Sequence, residues 1–289
     1  MENVIELRNV NKQFEGFQLK DFSLNVKKGF VTGFIGGNGV GKSTTIKIIM
    51  NLLRPDSGAV SIFGLNYKEH EKEIKQRIGF VFDENIFYEH LTLMEMKRII
   101  KPAYSNWDDN LFNHYVKAFE LPLNKKIKTF SKGMMMKASL TMALSHHAEL
   151  IIMDEPTSGL DPIFRRELLN ILHELMEDEN KTIFFSTHIT TDLDRIADYI
   201  TFIHNGAHVF TKEFHQIEEE YAIVKGGTEL LDVETEKEFL SIRKSNHGFE
   251  ALTANRDRIE HIFGEMVMIE KPTLEDIMFY TKKGSEQYV

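Results

Sequence analysis

The stretch GGNGVGKSTT, residues 36 to 45, decides how the rest of the chain is read. It sets glycines directly before a lysine and three hydroxyl residues, between a short apolar run and a longer one. Gly36, Gly41, Lys42 and Ser43 meet the pattern G-x-x-x-x-G-K-[ST], which has meaning only between a strand and a helix. FVTGFI (30 to 35) predicts the strand, being short, β-branched and aromatic, and ending at glycines. KSTTIKIIMNLL predicts a buried helix, stopped by the turn chemistry of Arg54-Pro55-Asp56-Ser57-Gly58. There the loop's N–H groups form a concave nest, to which the helix N-terminus adds about half a positive charge. Lys42 then reaches β- and γ-phosphates, Ser43 ligates Mg²⁺, and the implied ligand is a nucleoside triphosphate. An ordinary glycine-rich helix cap has no need of lysine and serine at these two offsets.

Other short apolar runs follow: AVSIFG (59 to 64), IGFVF (78 to 82), LIIM (150 to 153) and TIFFST (182 to 187). Continuous rather than alternating hydrophobicity predicts strands covered on both faces, as in a parallel sheet. Between Phe87 and Ala148 the apolar spacing turns helical, which predicts a helical insertion. From about Tyr221 onward the pattern changes again: EYAIVKGG and HGFEALTAN read as strands, and EKEFLSIRK, RDRIEHIFG and TLEDIMFYTKK as helices. The fold class is α/β: a mostly parallel core sheet, an antiparallel β portion near the N-terminus and a helical subdomain at about 87–148. The domain boundaries expected are 1–215 for this body and 216–289 for a small α+β appendage.

Composition narrows the function. With 289 residues, 42% hydrophobic and 27% charged, the chain has material for a sizeable core. A formal charge of −9 argues against nucleic acid as main partner, since phosphate binding requires clustered cations. There is no cysteine, hence no disulfide or thiolate metal site. MENVIELRNV reads as no secretion signal, and no run approaches the roughly 20 apolar residues that cross a bilayer. A chain soluble by itself is expected, with any membrane role coming through a partner.

Ligands of open parallel sheets bind outside the carboxyl ends of the strands. Asp83 follows IGFVF, Asp154 and Glu155 follow LIIM, and His188 follows TIFFST. Carboxylates directly after a buried run are costly without compensation, which a metal supplies. Asp154 is therefore assigned to Mg²⁺, and Glu155 to orienting or deprotonating the attacking water. His188 is placed to donate to the γ-phosphate.

Four motifs in order, GGNGVGKST, FSKGM (130 to 134), IIMDEPTSGLD (151 to 161) and STH (186 to 188), resemble the ATPase subunit of ATP-binding cassette (ABC) transporters over residues 1 to about 215. The resemblance implies an ATP-hydrolysing subunit, with ATP and Mg²⁺, that powers a membrane transporter. In that family two cassettes pair head to tail, so Ser131 and Gly133 are expected to contact nucleotide across the dimer and Asp161 to lie at its interface. The loop contacts fall on Gly36, Asn38, Gly39, Gly41, Lys42, Ser43 and Thr44. Phe14 matches the aromatic that stacks on adenine, with Phe17 as a competing candidate. Catalytic roles fall on Glu155 and His188, and metal contacts on Ser43, Asp83 and Asp154.

Two departures stand out. FSKGM replaces the usual LSGGQ, which places the charge of Lys132 at the signature. Asp83 stands where the family has a glutamine that touches Mg²⁺ and links to the membrane part. A carboxylate there ligates metal but does not donate like an amide. YEHLTLMEMKRII (88 to 100) lies where cassettes of that family receive a coupling helix of the membrane subunit, which implies a docking surface, with the exposed part expected around Phe87 to Leu93. SNWDDNLF (105 to 112) further resembles bacterial exporters of the ABC-2 type, which remove peptides, antibiotics or toxins. The implied partners are a membrane-spanning permease and a second cassette, identical or related, without nucleic acid. The implied location is cytoplasmic, peripheral at the inner face of the membrane. Two alternatives remain from the sequence: a soluble mechanical ATPase and an ATP-binding regulatory module.

Overall fold

The computed structural model describes residues 2–82 and 87–286, with side chains through 282. Its contacts divide the chain into two units, Met1–Thr211 and Lys212–Val289.

In the first unit the strands are β1 (Asn3–Phe14), β2 (Phe17–Lys27), β3 (Val31–Ile35), β4 (Ser57–Ile62), β5 (Ile78–Val81), β6 (Leu150–Asp154), β7 (Thr182–Thr187), β8 (Tyr199–His204) and β9 (Ala207–Glu213). The helices are α1 (Lys42–Ile49), α2 (Tyr67–Gln76), α3 (Leu93–Ile100), α4 (Asp109–Ala118), α5 (Lys132–Leu144), α6 (Pro162–Leu175) and the single turn α7 (Leu193–Ile196). A six-stranded sheet has the order β5-β6-β7-β3-β8-β9. Its pairings β5 to β6, β6 to β7, β7 to β3 and β3 to β8 are parallel. Val31–Ile35 and Thr182–Thr187 are buried at every position, as continuous apolar strands covered on both faces must be. Their carboxyl ends bring the loop at 36–41, Glu155 and His188 to one edge of the sheet.

A second sheet, β2-β1-β4, is antiparallel. AVSIFG accordingly departs from the parallel, doubly covered strand expected for it. It pairs with β1, Ile5 opposite Ile62, and only Ile62 is buried along β4. Four apolar residues are too few to separate one-faced from two-faced burial, and the bend at Pro55 and Asp56 returns the chain beside β1. The helix α1 shares a core with both sheets: Ile46, Ile48 and Ile49 cluster with Phe22, Phe34, Ile62 and Phe184. Each such side chain contributes about 1.5–3 kcal/mol by leaving water.

Between β5 and β6 lie α3, α4 and α5. Thr92 caps α3 in a capping box with Glu95, and Asp108 caps α4 through the N–H groups of Asn110 and Leu111. The exposed part expected around Phe87 to Leu93 is narrower than its bounds. Phe87 and Leu93 are buried at 6% and 0% exposure, while Tyr88 stands out at 57%. Helix α3 turns Leu93 inward with Met96, the i, i+3 spacing that places both on one face.

The second unit holds α8 (Phe214–Glu220), β10 (Ala222–Gly226), β11 (Ser241–Ser245), β12 (Gly248–Thr253), α9 (Arg256–Phe263), β13 (Met268–Glu270) and α10 (Leu274–Glu286). The strands form an antiparallel sheet ordered β11-β12-β10-β13. Val224, Phe249 and Ala251 pack with Ile259 and Phe263 of α9. EKEFLSIRK departs from the helix expected: it gives a 3₁₀ turn at Thr235–Glu238 and then β11. The hairpin closing at Ser245 opposite Gly248 pairs Ile242 with Ala251, so pairing overrides the helical spacing of that segment.

Candidate functional site

The loop after β3 closes on itself around Lys42. Gly39 and Gly41 take φ of 77° and 111°, a region that L side chains rarely enter. At Gly41 a Cβ would also lie 2.7 Å from the Phe17 ring. Lys42 is 6% exposed, and its Nζ donates to the carbonyls of Gly36 at 2.8 Å and Gly37 at 3.1 Å. The N-terminus of α1 has no side-chain cap and no acidic residue in its first turn. Its leading N–H groups are thus left for an anionic ligand.

The end of β6 faces this loop. Ser186 of β7, paired with Asp154 in register, donates its hydroxyl to Asp154 Oδ1 at 2.6 Å. The N–H of Glu155 is 3.1 Å from both the carbonyl and the hydroxyl of Ser186. That bonding holds Glu155 at φ 48°, a left-handed conformation that costs a non-glycine residue on the order of 1–3 kcal/mol. Glu155 Oε1 lies 3.1 Å from Lys42 Nζ, and Oε2 lies 2.7 Å from His188 Nδ1. A carboxylate only accepts, so His188 donates from Nδ1, and its Nε2 is a donor only in the imidazolium form.

These groups line one cavity of about 410 Å³, bounded by Phe17, Asn38, Gly39, Gly41, Lys42, Ser43, Thr44, Glu155, Ser158 and His188. Phe14 is not on its wall; it is 39% exposed and stacks on Phe17 with ring centroids 6.3 Å apart. Gly36 lies beneath the loop, held to glycine because a Cβ would approach the carbonyl of Ile203 to 2.6 Å. Asp154 sits behind Glu155 on Ser186. Asp83 lies outside the described residues. Ser158, unassigned from the sequence, reaches the wall because the chain turns at Gly159 after Glu155-Pro156; the SGLD segment carried that signal. Ser186 was also unassigned, although its place in the register beside Asp154 follows from two adjacent parallel strands.

The signature and interface residues stand apart from this wall. Ser131 is exposed and caps α5, accepting from the N–H of Met134 at 3.2 Å. Gly133 lies against Phe164 of α6, where a Cβ would approach the ring to 3.0 Å. Asp161 caps α6, its Oδ1 accepting from Ile163 and Phe164. Lys132 Nζ lies over Gly159.

The donor set suits a triphosphate with Mg²⁺. An uncapped helix end and a buried ammonium are donors of the kind that phosphate oxygens accept from, while the hydroxyl of Ser43 and the carboxylate of Asp154 offer hard oxygens of the kind that Mg²⁺ takes.

Similarity to known proteins agrees with this chemistry. The sequence profile of the ABC transporter family matches residues 19–158. A bacitracin transport ATP-binding protein of Bacillus licheniformis is 35% identical over 209 residues, 71% of this chain and 68% of that protein. The ABC transporter ATP-binding protein YtrB of Bacillus subtilis is 31% identical, over 75% of each chain. Among solved structures, an ATP-binding subunit of an ABC transporter is 29% identical, with a TM-score of 0.68 over 75% of this chain and 92% of its own. The cassette MJ0796, dimeric in a post-hydrolysis state with ADP and Pi, is 26% identical, with a TM-score of 0.64 over 72% of this chain and 98% of its own.

Fold and site define a P-loop ATPase cassette. The chain belongs to the ATP-binding subunits of ABC transporters: it binds ATP, uses Mg²⁺, and hydrolyses ATP to power a membrane permease, in a dimer of cassettes. No helix among the described residues is long and apolar enough to cross a membrane itself.

Proposed function

We propose that this chain is the motor of an exporter of peptides, antibiotics or toxins, and that Glu155 is the base of its hydrolytic step. The observation that carries the catalytic reading is the placement of Glu155 between Lys42 and His188 on the wall of the cavity. The exporter reading is supported by the similarity to bacitracin transport proteins of Bacillus licheniformis and Enterococcus faecalis, at 35% and 34% identity.

ATP supplies the phosphoanhydride bond that is cleaved, and Mg²⁺ offsets the charge on its phosphates. Lys42 and the N-terminus of α1 bind those phosphates, with Asn38, Gly39 and Thr44 shaping the loop. Ser43 and Asp154 hold the metal, joined by Asp83. Glu155 takes a proton from the attacking water, and His188 fixes its carboxylate through Nδ1 while Nε2 faces the γ-phosphate. The stacked rings of Phe14 and Phe17 form the adenine platform, which gives affinity without strict base choice. Ser131 and Gly133 touch the nucleotide of the partner cassette, and Asp161 lies at that interface. The partner is a second copy or a related cassette, and the whole sits at the cytoplasmic face of the membrane on its permease. The nucleotide-hydrolysing body is residues 1–215, and the remainder is an appendage.

Light scattering of Glu155→Gln with Mg-ATP tests this reading. An ATP-dependent dimer, absent with Mg-ADP, is expected. A variant that stays monomeric at saturating ATP, alone and mixed with its permease, overturns it.

A further inference from the structure

One buried charge takes no part in the chemistry above. Asp192 is 1% exposed, in the 3₁₀ turn Thr190–Asp192 that follows His188. Its Oδ1 accepts from Arg165 Nε at 2.5 Å, and Arg165 Nη2 donates to the hydroxyl of the neighbouring Thr191 at 2.9 Å. Arg165 belongs to α6, and its own N–H donates to the carbonyl of Asp161 at 2.9 Å. The guanidinium therefore ties together two segments that leave the nucleotide cavity. One runs from Glu155 through Ser158 to Asp161; the other runs from His188 to Asp192.

The second segment has a further anchor. Leu193 is fully buried and occupies the space over Gly33 of β3, where a Cβ would come within 2.3 Å of Leu193 Cδ2. Leu193 fixes the turn to the sheet. The Arg165 contact joins the turn after His188 to the helix after Asp161, which also packs against α7. A planar guanidinium bonded at two nitrogens fixes orientation as well as distance, which an ammonium does not. Asp192 Oδ2 has no hydrogen-bond partner among the described residues. A desolvated carboxylate satisfied on one side is an expensive way to fill a core, and apolar residues of that volume commonly serve stability as well or better. Stability alone therefore does not account for it.

We propose that Arg165 and Asp192 are positioning residues that hold His188 in register with the loop carrying Glu155, Ser158 and Asp161, and so set turnover without setting nucleotide affinity. This rests on the hydrolytic reading of Glu155 and His188. Neither residue touches the cavity wall, so loss of the pair leaves Lys42 and the phosphate loop as they are. What changes is the angle at which His188 meets Glu155, and small displacements of a positioned group cost rate steeply.

The test uses the full-length protein with Arg165→Met, Arg165→Lys and Asp192→Asn, followed by phosphate release, equilibrium binding of a fluorescent ATP analogue, and ¹⁵N signals of the His188 ring. The pair predicts that kcat falls about ten- to a hundredfold in Arg165→Met. KM and nucleotide affinity stay at the parent values and the His188 signals move. Arg165→Lys, with one donor direction in place of two, recovers part of the rate. Asp192→Asn keeps the volume of the carboxylate, and folds if Arg165→Met does not; it loses rate in the same way. Unchanged kcat in a folded variant overturns the inference, as does a rate loss that nucleotide affinity follows in parallel, or one with the His188 signals unmoved. A parent protein that releases no phosphate overturns this inference and the hydrolytic reading together; an active parent with unaffected variants overturns this inference alone.

Discussion

The ammonium of Lys42 lies 3.1 Å from Oε1 of Glu155, so that the cation proposed to bind phosphate and the carboxylate proposed as base form one ion pair. Lys42 is 6% exposed and the Glu155 side chain 13%, and a pair so placed is weakly screened. Phosphates entering the loop compete with Glu155 for the same ammonium. Removing the charge of Glu155 ends that competition. Glu155→Gln is predicted to bind ATP at least as tightly as the parent, read by titration with a fluorescent analogue. A clear loss of affinity contradicts the geometry.

Lys42→Met removes the buried ammonium itself. The lost charge-assisted bonds are worth about 1.5–3 kcal/mol, and ATP affinity is predicted to fall roughly ten- to a hundredfold. The same titration reads it, and thermal unfolding without nucleotide separates loss of ligand from loss of fold. In Lys42→Met the carboxylate of Glu155 keeps His188 as partner, so the fold is expected to survive.

Asp161 caps α6 and is proposed to lie at the cassette interface, and substitution can separate the two. As cap of α6, accepting from Ile163 and Phe164, it is worth about 1 kcal/mol. Asp161→Ala is predicted to lose that stability, whereas Asp161→Asn retains it, because asparagine caps as well. Denaturant midpoints check both. A weaker ATP-dependent dimer in a fully stable Asp161→Asn then reports the interface role alone.

His146 makes the fold sensitive to acid. Burial pushes its pKa below the ordinary 6.5, helped by Lys181 and His147 nearby and opposed by its bond to the carbonyl of Ile78 at 3.0 Å. Tyr104 stacks on the ring at 3.8 Å. The unfolded chain binds this proton more readily than the folded one. Stability from this site is therefore complete above pH 6.5 and is lost as pH falls toward the folded value. His146→Asn is predicted to show a smaller drop in denaturant midpoint between about pH 7.5 and about pH 5.5 than the parent shows. Equal drops contradict it.

Much of the site was legible because it is local in sequence. Gly36 to Thr44 form one continuous loop and helix start, Asp154 and Glu155 follow the apolar run LIIM, and His188 follows the fully buried β7. Ser186 was out of reach because its role depends on which strand lies beside β6, whereas the signal for Ser158 stood in SGLD and went unread. The hairpin of β8 and β9 was written in Asn205-Gly206, both at positive φ, and a reading for apolar runs alone passes over it. EKEFLSIRK carries helical spacing but is decided by its neighbour β12, and AVSIFG by its neighbour β1. In each case the missing information is a long-range partner rather than a residue type.

The claim at the centre is that Glu155 performs the hydrolytic step in a site that binds ATP without it. Phosphate release by the full-length protein and by Glu155→Gln, each with Mg-ATP at saturation, tests it most directly. The account predicts Mg²⁺-dependent release by the parent and a loss of about a hundredfold or more in the variant, with ATP still bound. Release by Glu155→Gln at the parent rate contradicts it.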